Sequence, residues 1–157
     1  MIARKANEED TARIAEIERA VFSDAWSEVG IRETMEQKTA GIYVVEAGET
    51  TAGYVVIYSV LDESEVARIA VSPEFRRKGV AGLLLDTVIS EGVSNGTVTW
   101  YLEVRESNSA ARALYQKKGF RDIGIRKGFY ENPKEDAVLM TLSLETVSGV
   151  QEDRDRL

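Results

Sequence analysis

Histidine and cysteine are both missing from this 157-residue chain. Their absence excludes a Ser-His-Asp triad, a cysteine nucleophile, a disulfide framework and a zinc site built from His or Cys ligands. No metal is expected, and any general base must be a carboxylate, a lysine, a tyrosine or a terminal amine. Long apolar runs are missing too. The start, Met1-Ile2-Ala3-Arg4-Lys5-Ala6-Asn7, turns polar and acidic too soon for a secretory leader, so the expected location is the cytoplasm. Positive charge is in the minority, with 20 Lys and Arg against 27 Asp and Glu and a net charge of −7. That balance argues against direct nucleic-acid binding or membrane association and mildly favours basic partners.

What remains is an ordinary globular composition, 43% hydrophobic and 30% charged. Domains typically span about 100–200 residues, so one domain with a full core is expected. It should occupy residues 1–144. From Glu145 onward hydrophobicity falls and charge rises, which reads as a polar, mobile C-terminal tail over 145–157.

Ile2 to Lys5 can start a strand, and Asn7 with Asp10 three positions on reads as a helix cap. The helix that follows carries Ile14, Ile17 and Val21 on one face. Ser27 can cap a second helix running through Gln37. Gly41–Ala47 and Ala52–Leu61, joined by the turn Gly48-Glu49-Thr50-Thr51, predict an antiparallel hairpin. Glu65–Val71 follows the polar turn Asp62-Glu63-Ser64, and Ser72-Pro73 ends it, because proline has no N–H to continue a ladder. Gly79–Ser90 predicts a buried helix with Leu84 and Val88 inward. Thr97–Val104 predicts a strand and Asn108–Lys118 a helix closed by Gly119. Phe120–Tyr130 and Ala137–Leu144 complete the set as strands around the loop Glu131–Lys134. This order describes an α/β or α+β domain with a mixed sheet and helices on its faces.

Two segments carry chemistry. Arg76-Arg77-Lys78-Gly79-Val80-Ala81-Gly82 places three cations and two glycines where a strand hands over to a helix. A helix start has free N–H groups and a partial positive charge, and glycine lets backbone approach an anion closely. The arrangement suits a pyrophosphate. It lacks both the Gly-x-Gly-x-x-Gly dinucleotide pattern and the Gly-Lys-Ser/Thr ending of an ATP-binding loop. Taken alone it is equally a solvated helix start.

In the second segment, Val98, Trp100, Leu102 and Val104 alternate with Thr99, Tyr101 and Glu103, so Glu103 lies on the less apolar strand face. A carboxylate there can take a proton from an attacking amine, if it faces a cleft. Asn108 is a good N-cap, and Tyr115 lies seven positions later on the same helix face, roughly 10.5 Å along the axis. Ser109, Ala110, Ala111 and Ala113 leave room for a ligand against that helix. Alone, Glu103 reads as an exposed strand acid and Tyr115 as a core aromatic.

The pieces together resemble a known family. Arg76-x-x-Gly79-x-Ala81 after Ile69-Ala70-Val71-Ser72-Pro73 is similar to the acetyl-CoA motif of the GNAT N-acetyltransferases. Leu102-Glu-Val-Arg105, Ser107-Asn108, Ala111, Leu114-Tyr115 and Gly119-Phe120 resemble its RimI branch, which acetylates the terminal alanine of a small-subunit ribosomal protein. The resemblance reaches to about Leu144. It implies a mixed, mostly antiparallel seven-stranded sheet with about four helices on its two faces, and acetyl-CoA as cosubstrate.

It further implies that Ile69, Ala70 and Val71 pair with the pantetheine arm, that Arg76, Arg77, Lys78, Gly79, Val80, Ala81 and Gly82 hold the pyrophosphate, and that Asn108 contacts CoA. Glu103 becomes the general base and Tyr115 the general acid, with direct attack in a ternary complex. Phe22–Ser27 resembles the branch's Pro-Trp-Ser segment with Ala25 in place of Pro, and Phe129-Tyr130 its paired tyrosines. Trp26 and Tyr130 are therefore candidates to wall the acceptor cleft. The expected acceptor is a protein N-terminus, most naturally of a ribosomal protein. Two other readings are a GNAT enzyme acting on lysine side chains or a small amine, and a non-catalytic CoA-responsive partner protein.

Overall fold

The structure, a computed structural model, describes residues 1–144; the expected tail over 145–157 lies outside them. The elements run β1 (Ile2–Lys5), α1 (Thr11–Val21), α2 (Glu28–Glu36), β2 (Ala40–Ala47), β3 (Thr50–Val60), β4 (Glu63–Val71), α3 (Val80–Ser94), β5 (Thr99–Arg105), α4 (Ser109–Lys117), β6 (Arg121–Tyr130) and β7 (Glu135–Ser143). The seven strands form one sheet in the order β1-β2-β3-β4-β5-β7-β6. Only β4 and β5 pair in parallel, and the other five pairings are antiparallel. No helix among the described residues is long and apolar enough to cross a membrane.

The local signals act as their chemistry requires. Asn7 and Asp10 form a reciprocal capping box, but the turn they open is a short 3-10 helix, Glu8–Asp10, that feeds α1. The Ser27 hydroxyl accepts from the Gly30 amide and starts α2. Several boundaries shift: Thr50 and Thr51 belong to β3 rather than to the turn, and β5 begins at Thr99 rather than at Thr97. The segment Glu63-Ser64 belongs to β4 rather than to the turn, because Ser64 is buried with its hydroxyl paired to those of Ser59 (2.8 Å) and Thr97 (2.7 Å). Helix α3 runs on to Ser94, one turn past the expected end.

Each sheet face has its own core. On one side α3 and α4 cover Val55, Val66, Trp100, Leu102, Val104, Val138 and Met140. On the other side Ile14 and Ile17 of α1 and Ile31 of α2 cover Ile42, Val44, Tyr54, Val56 and Ala70. The alternation along β5 is thereby realised, with Trp100, Leu102 and Val104 toward α3 and α4 and Glu103 on the opposite face.

The feature that positions everything downstream lies between β4 and β5. Their pairing runs from Glu63 opposite Thr99 to Val66 opposite Leu102 and stops, although both strands continue. Against β3, the register of β4 slips at the same place: Ile57 faces Val66 and Val56 faces Arg68, so Ala67 is an extra, bulged residue. A bulge bends its strand and sharpens its twist. Past Val66, β4 leans away from β5, and its β5-facing edge has no strand partner among the described residues.

Two predictions follow from this packing. Gly92 in α3 sits so close to the buried Trp100 that an added Cβ would lie 2.6 Å from Trp100 Cζ2. Gly92→Ala is expected to overpack this contact and cost about 1–3 kcal/mol, read from urea unfolding midpoints. Separately, Arg4 binds both oxygens of Asp10 at 2.8 Å, and the Asn7 amide adds a third bond. The Arg4 hydrogen bonds, opposed by burial and helped by the Asn7 amide, hold the Asp10 carboxyl below its ordinary value of 3.8. That stabilisation is complete above the unfolded value and disappears as pH falls through the lower folded one. The stability gap between wild type and Asp10→Asn is therefore expected to be constant near neutrality and to close as pH falls below about 3.8.

Candidate functional site

The unpaired stretch of β4 forms one wall of an open cleft of about 1020 Å³. Ile69, Ala70 and Val71 line that wall; Arg76, Arg77, Gly79, Val80, Ala81 and Gly82 line the floor at the start of α3; Asn108, Ala111 and Tyr115 of α4 line the far side. Eleven of the candidate site residues drawn from the sequence, joined by Ala111, thus line one cavity. Lys78 is not among its lining residues, and its ammonium lies 5.5 Å from the centre of the Phe75 ring.

The floor is built for an anion. Arg77 and Gly79 both have left-handed backbone, at φ +64 and φ +80. A non-glycine residue in that region costs roughly 1–2 kcal/mol, so the conformation at Arg77 is held by its surroundings. Alternating left- and right-handed residues turn successive N–H groups to one side, the concave arrangement that binds anions. Gly79 is the N-cap of α3 and no side chain caps the helix, so its first amides remain available. With Arg76 and Arg77 in the lining and only small side chains at Ala81 and Gly82, these residues fit the pyrophosphate of a CoA ester. Across the cleft, Lys117 and Lys118 add further positive charge, Lys118 in an ion pair with Asp86 at 2.9 Å.

The α4 wall is held by its caps. The Asn108 side chain accepts from the Ala111 amide at 3.2 Å, which commits its oxygen to the helix and leaves its NH₂ group for the cleft. At the other end Gly119, at φ +102, turns the chain so that the Phe120 amide bonds the Tyr115 carbonyl at 3.0 Å. Tyr115 is only 5% exposed, packed 5.9 Å from the Phe120 ring, and its hydroxyl has no hydrogen-bond partner among the described residues. Burial, with a smaller push from Tyr130, raises its pKa well above the usual phenol value.

Glu103 does not line this cleft. It stands on the other sheet face, beyond the gap between β4 and β5, with Arg126 Nη1 at 3.6 Å from its carboxylate. Glu65 shares its face; burial and the charge of Glu103 raise the Glu65 pKa, against a lowering by Arg126. Tyr130 stands between the two candidate catalytic groups in an electrostatic sense, since its charge is felt at Tyr115 and it feels that of Glu103. Burial first and Glu103 second push the Tyr130 phenol up to about 12, against Arg105, whose guanidinium lies 4.5 Å from its ring centre. The gap therefore joins a cofactor-sized cleft on the α3–α4 side to a carboxylate on the α1–α2 side.

The flanks of that second side are two loops. Trp26 lies on the connection between α1 and α2, with Arg68 4.8 Å from its ring centre. Tyr130 opens the β6–β7 loop, which Arg105 anchors by bonds to the carbonyls of Glu131 (3.0 Å) and Pro133 (2.9 Å). The Ser23 hydroxyl donates to the Asn132 carbonyl at 2.9 Å and joins the two loops. Arg68, Glu65, Arg126 and Lys117 were not singled out by sequence reasoning. The alternation that placed Glu103 would also have placed Glu65 beside it, given the strand pairing.

The sequence profile of the acetyltransferase (GNAT) family matches residues 11–120. The chain is 35% identical over 131 residues to the [ribosomal protein bS18]-alanine N-acetyltransferase of Salmonella typhimurium, covering 82% of this chain and 88% of that protein. It is 35% identical over 140 residues to the protein of the same name from Haemophilus ducreyi, covering 87% and 96%. The crystal structure of the ribosomal-protein-S18-alanine N-acetyltransferase from Escherichia coli superposes with a TM-score of 0.84 at 30% identity, over 91% of this chain and 93% of that one. The chain belongs to the GNAT family of acetyltransferases. It is an N-acetyltransferase that takes its acetyl group from acetyl-CoA, which excludes the non-catalytic reading.

The position of Lys78 outside the cleft separates it from its neighbours. Arg77→Ala is expected to weaken CoA binding by about tenfold or more, the loss of one charge-assisted contact, while Lys78→Ala changes it less than about twofold; titration calorimetry with CoA distinguishes the two.

Proposed function

We propose that this enzyme acetylates the α-amine of protein N-termini, with the N-terminal alanine of a ribosomal protein as its natural acceptor. The observation that carries this reading is the extent of likeness to relatives named for that acceptor, about a third identical across most of both chains. The arrangement of the two sheet faces supports it. Acetyl-CoA would lie in the α3–α4 cleft, its pyrophosphate at Arg76–Gly82 and its pantetheine arm along the unpaired edge of Ile69–Val71. The acceptor would enter from the opposite face between the loops bearing Trp26 and Tyr130, and amine and thioester would meet in the gap.

An α-ammonium has a reference pKa of about 7.7–8.0 and must lose its proton to attack. Glu103, directly or through water, is the proposed acceptor of that proton. The amine then attacks the thioester carbonyl directly, and a backbone N–H at the end of β4 steadies the developing oxyanion. Tyr115 is the proposed donor to the departing sulfur, and its phenolate is reprotonated by the second proton that the nitrogen loses as the amide forms. Burial keeps the Tyr115 phenol protonated through neutral pH, so that proton is in place when the thiolate leaves. Holding the two reactants in contact provides the larger share of the rate.

Mass spectrometry after incubation with acetyl-CoA and peptides beginning with Ala, Ser or Met, together with lysine-containing peptides blocked at the N-terminus, tests the acceptor. Acetylation at the α-amine of the Ala peptide is the expected result. Modification of lysine alone would replace this reading with the side-chain one.

Glu103→Gln and Tyr115→Phe are each expected to reduce kcat by about 10²–10⁴ while CoA affinity stays near that of wild type. A wild-type rate in either variant removes that residue from its role. In wild type, kcat/KM is expected to rise with pH through the amine's ionisation near about 8 and to show no tyrosine-dependent fall below about pH 10, because burial moves the phenols of Tyr115 and Tyr130 upward.

A further inference from the structure

We infer that Arg68 is a positioning residue for the acceptor: it ties the loop that flanks the acceptor side to the strand that flanks the thioester. The inference rests on the acceptor entering between the Trp26 and Tyr130 loops, as proposed above.

Between the end of α1 and the start of α2 the chain has no regular structure, and its shape comes from side chains below it. Glu18 of α1 is fully buried and accepts four hydrogen bonds: from Arg68 Nε (2.9 Å), from Arg68 Nη2 (2.8 Å), from the Trp26 backbone amide (3.0 Å) and from the Tyr54 hydroxyl. Arg68 Nη2 also donates to the Asp24 carbonyl at 3.1 Å. Its guanidinium plane covers the Phe22 ring at 3.9 Å and approaches the Trp26 ring at 4.8 Å. Phe22, Asp24 and Trp26 therefore all rest on one guanidinium and its carboxylate.

The other end of Arg68 is in β4, next to the bulged Ala67 and directly before Ile69, where the cleft wall begins. Val21, the last residue of α1, lines that same cleft. A displacement of Arg68 would thus move the acceptor loop without touching the amides of α3 or the Tyr115 helix. A planar fork that bonds bidentately and stacks on two rings cannot be reproduced by the point charge of lysine.

Two variants test this. Arg68→Lys keeps the charge opposite Glu18 but loses the fork and the stacking. Glu18→Gln combined with Arg68→Met removes the charge pair together, so no unpaired buried ion is left to unfold the protein. Steady-state kinetics are run with whichever amine the wild type accepts, and acetyl-CoA affinity is measured by calorimetry. The expected result for both variants is a rise in acceptor KM of about tenfold or more, with kcat within about threefold and acetyl-CoA affinity within about twofold of wild type. An unchanged acceptor KM, an equal loss of acetyl-CoA affinity, or failure of both variants to fold would overturn the inference and leave Arg68 as a structural residue. Wild-type activity on lysine peptides alone would defeat the N-terminal reading while the Arg68 comparison still stands on the accepted amine.

Discussion

The separation of β4 from β5 after Val66 and Leu102 is the constraint on which the rest of the molecule depends. Inside a continuous sheet every backbone N–H and C=O is taken by a neighbouring strand, and no ligand can bind there without breaking the ladder. One bulged residue, Ala67, removes that obstacle. The strand beyond it keeps its bonds to β3 on one side, so it stays rigid, while its other side is left open in the middle of the molecule rather than at a margin. The two faces of the sheet each carry a separate apolar core. In the proposed mechanism an acetyl group held on one face meets an amine arriving on the other at this gap.

Around the gap, charge and burial are divided between the faces. The α3–α4 side offers cations and helix-start amides suited to the phosphates of a CoA ester, together with a phenol that burial keeps protonated. The opposite side holds Glu103, Glu65 and Arg126 with Tyr130 across from them. Neither face needs imidazole or thiol. In the proposed mechanism a carboxylate and a phenol carry the protons, since an α-amine ionises near neutrality.

Much of this was legible in the sequence wherever the determining interactions are local. Period-two alternation put Glu103 on the face away from Trp100. Asn108 and Gly119 bracketed α4, and Gly79 marked the start of α3. What failed to show is non-local. The bulge at Ala67 depends on the register between β3 and β4, and nothing in Val66-Ala67-Arg68 announces it. Glu63 and Ser64 read as turn residues because their polarity is visible and the hydroxyl chain through Ser59 and Thr97 that buries Ser64 is not. Glu18 and Arg68, 50 positions apart, look like surface charges on their own segments, and only the tertiary fold makes them a buried pair. Lys78 sits in a basic run with Arg76 and Arg77, yet the left-handed turn at Arg77 sends it to Phe75 instead of the cleft.

The hydrogen bond from Ser23 to the Asn132 carbonyl spans 109 residues of sequence and lies in the solvent. It converts two separate loops into an arch. Two loops joined in this way move together rather than independently. One exposed hydrogen bond, worth about 1 kcal/mol, is a light latch. At that strength it breaks and re-forms readily, so the two loops are coupled without being locked.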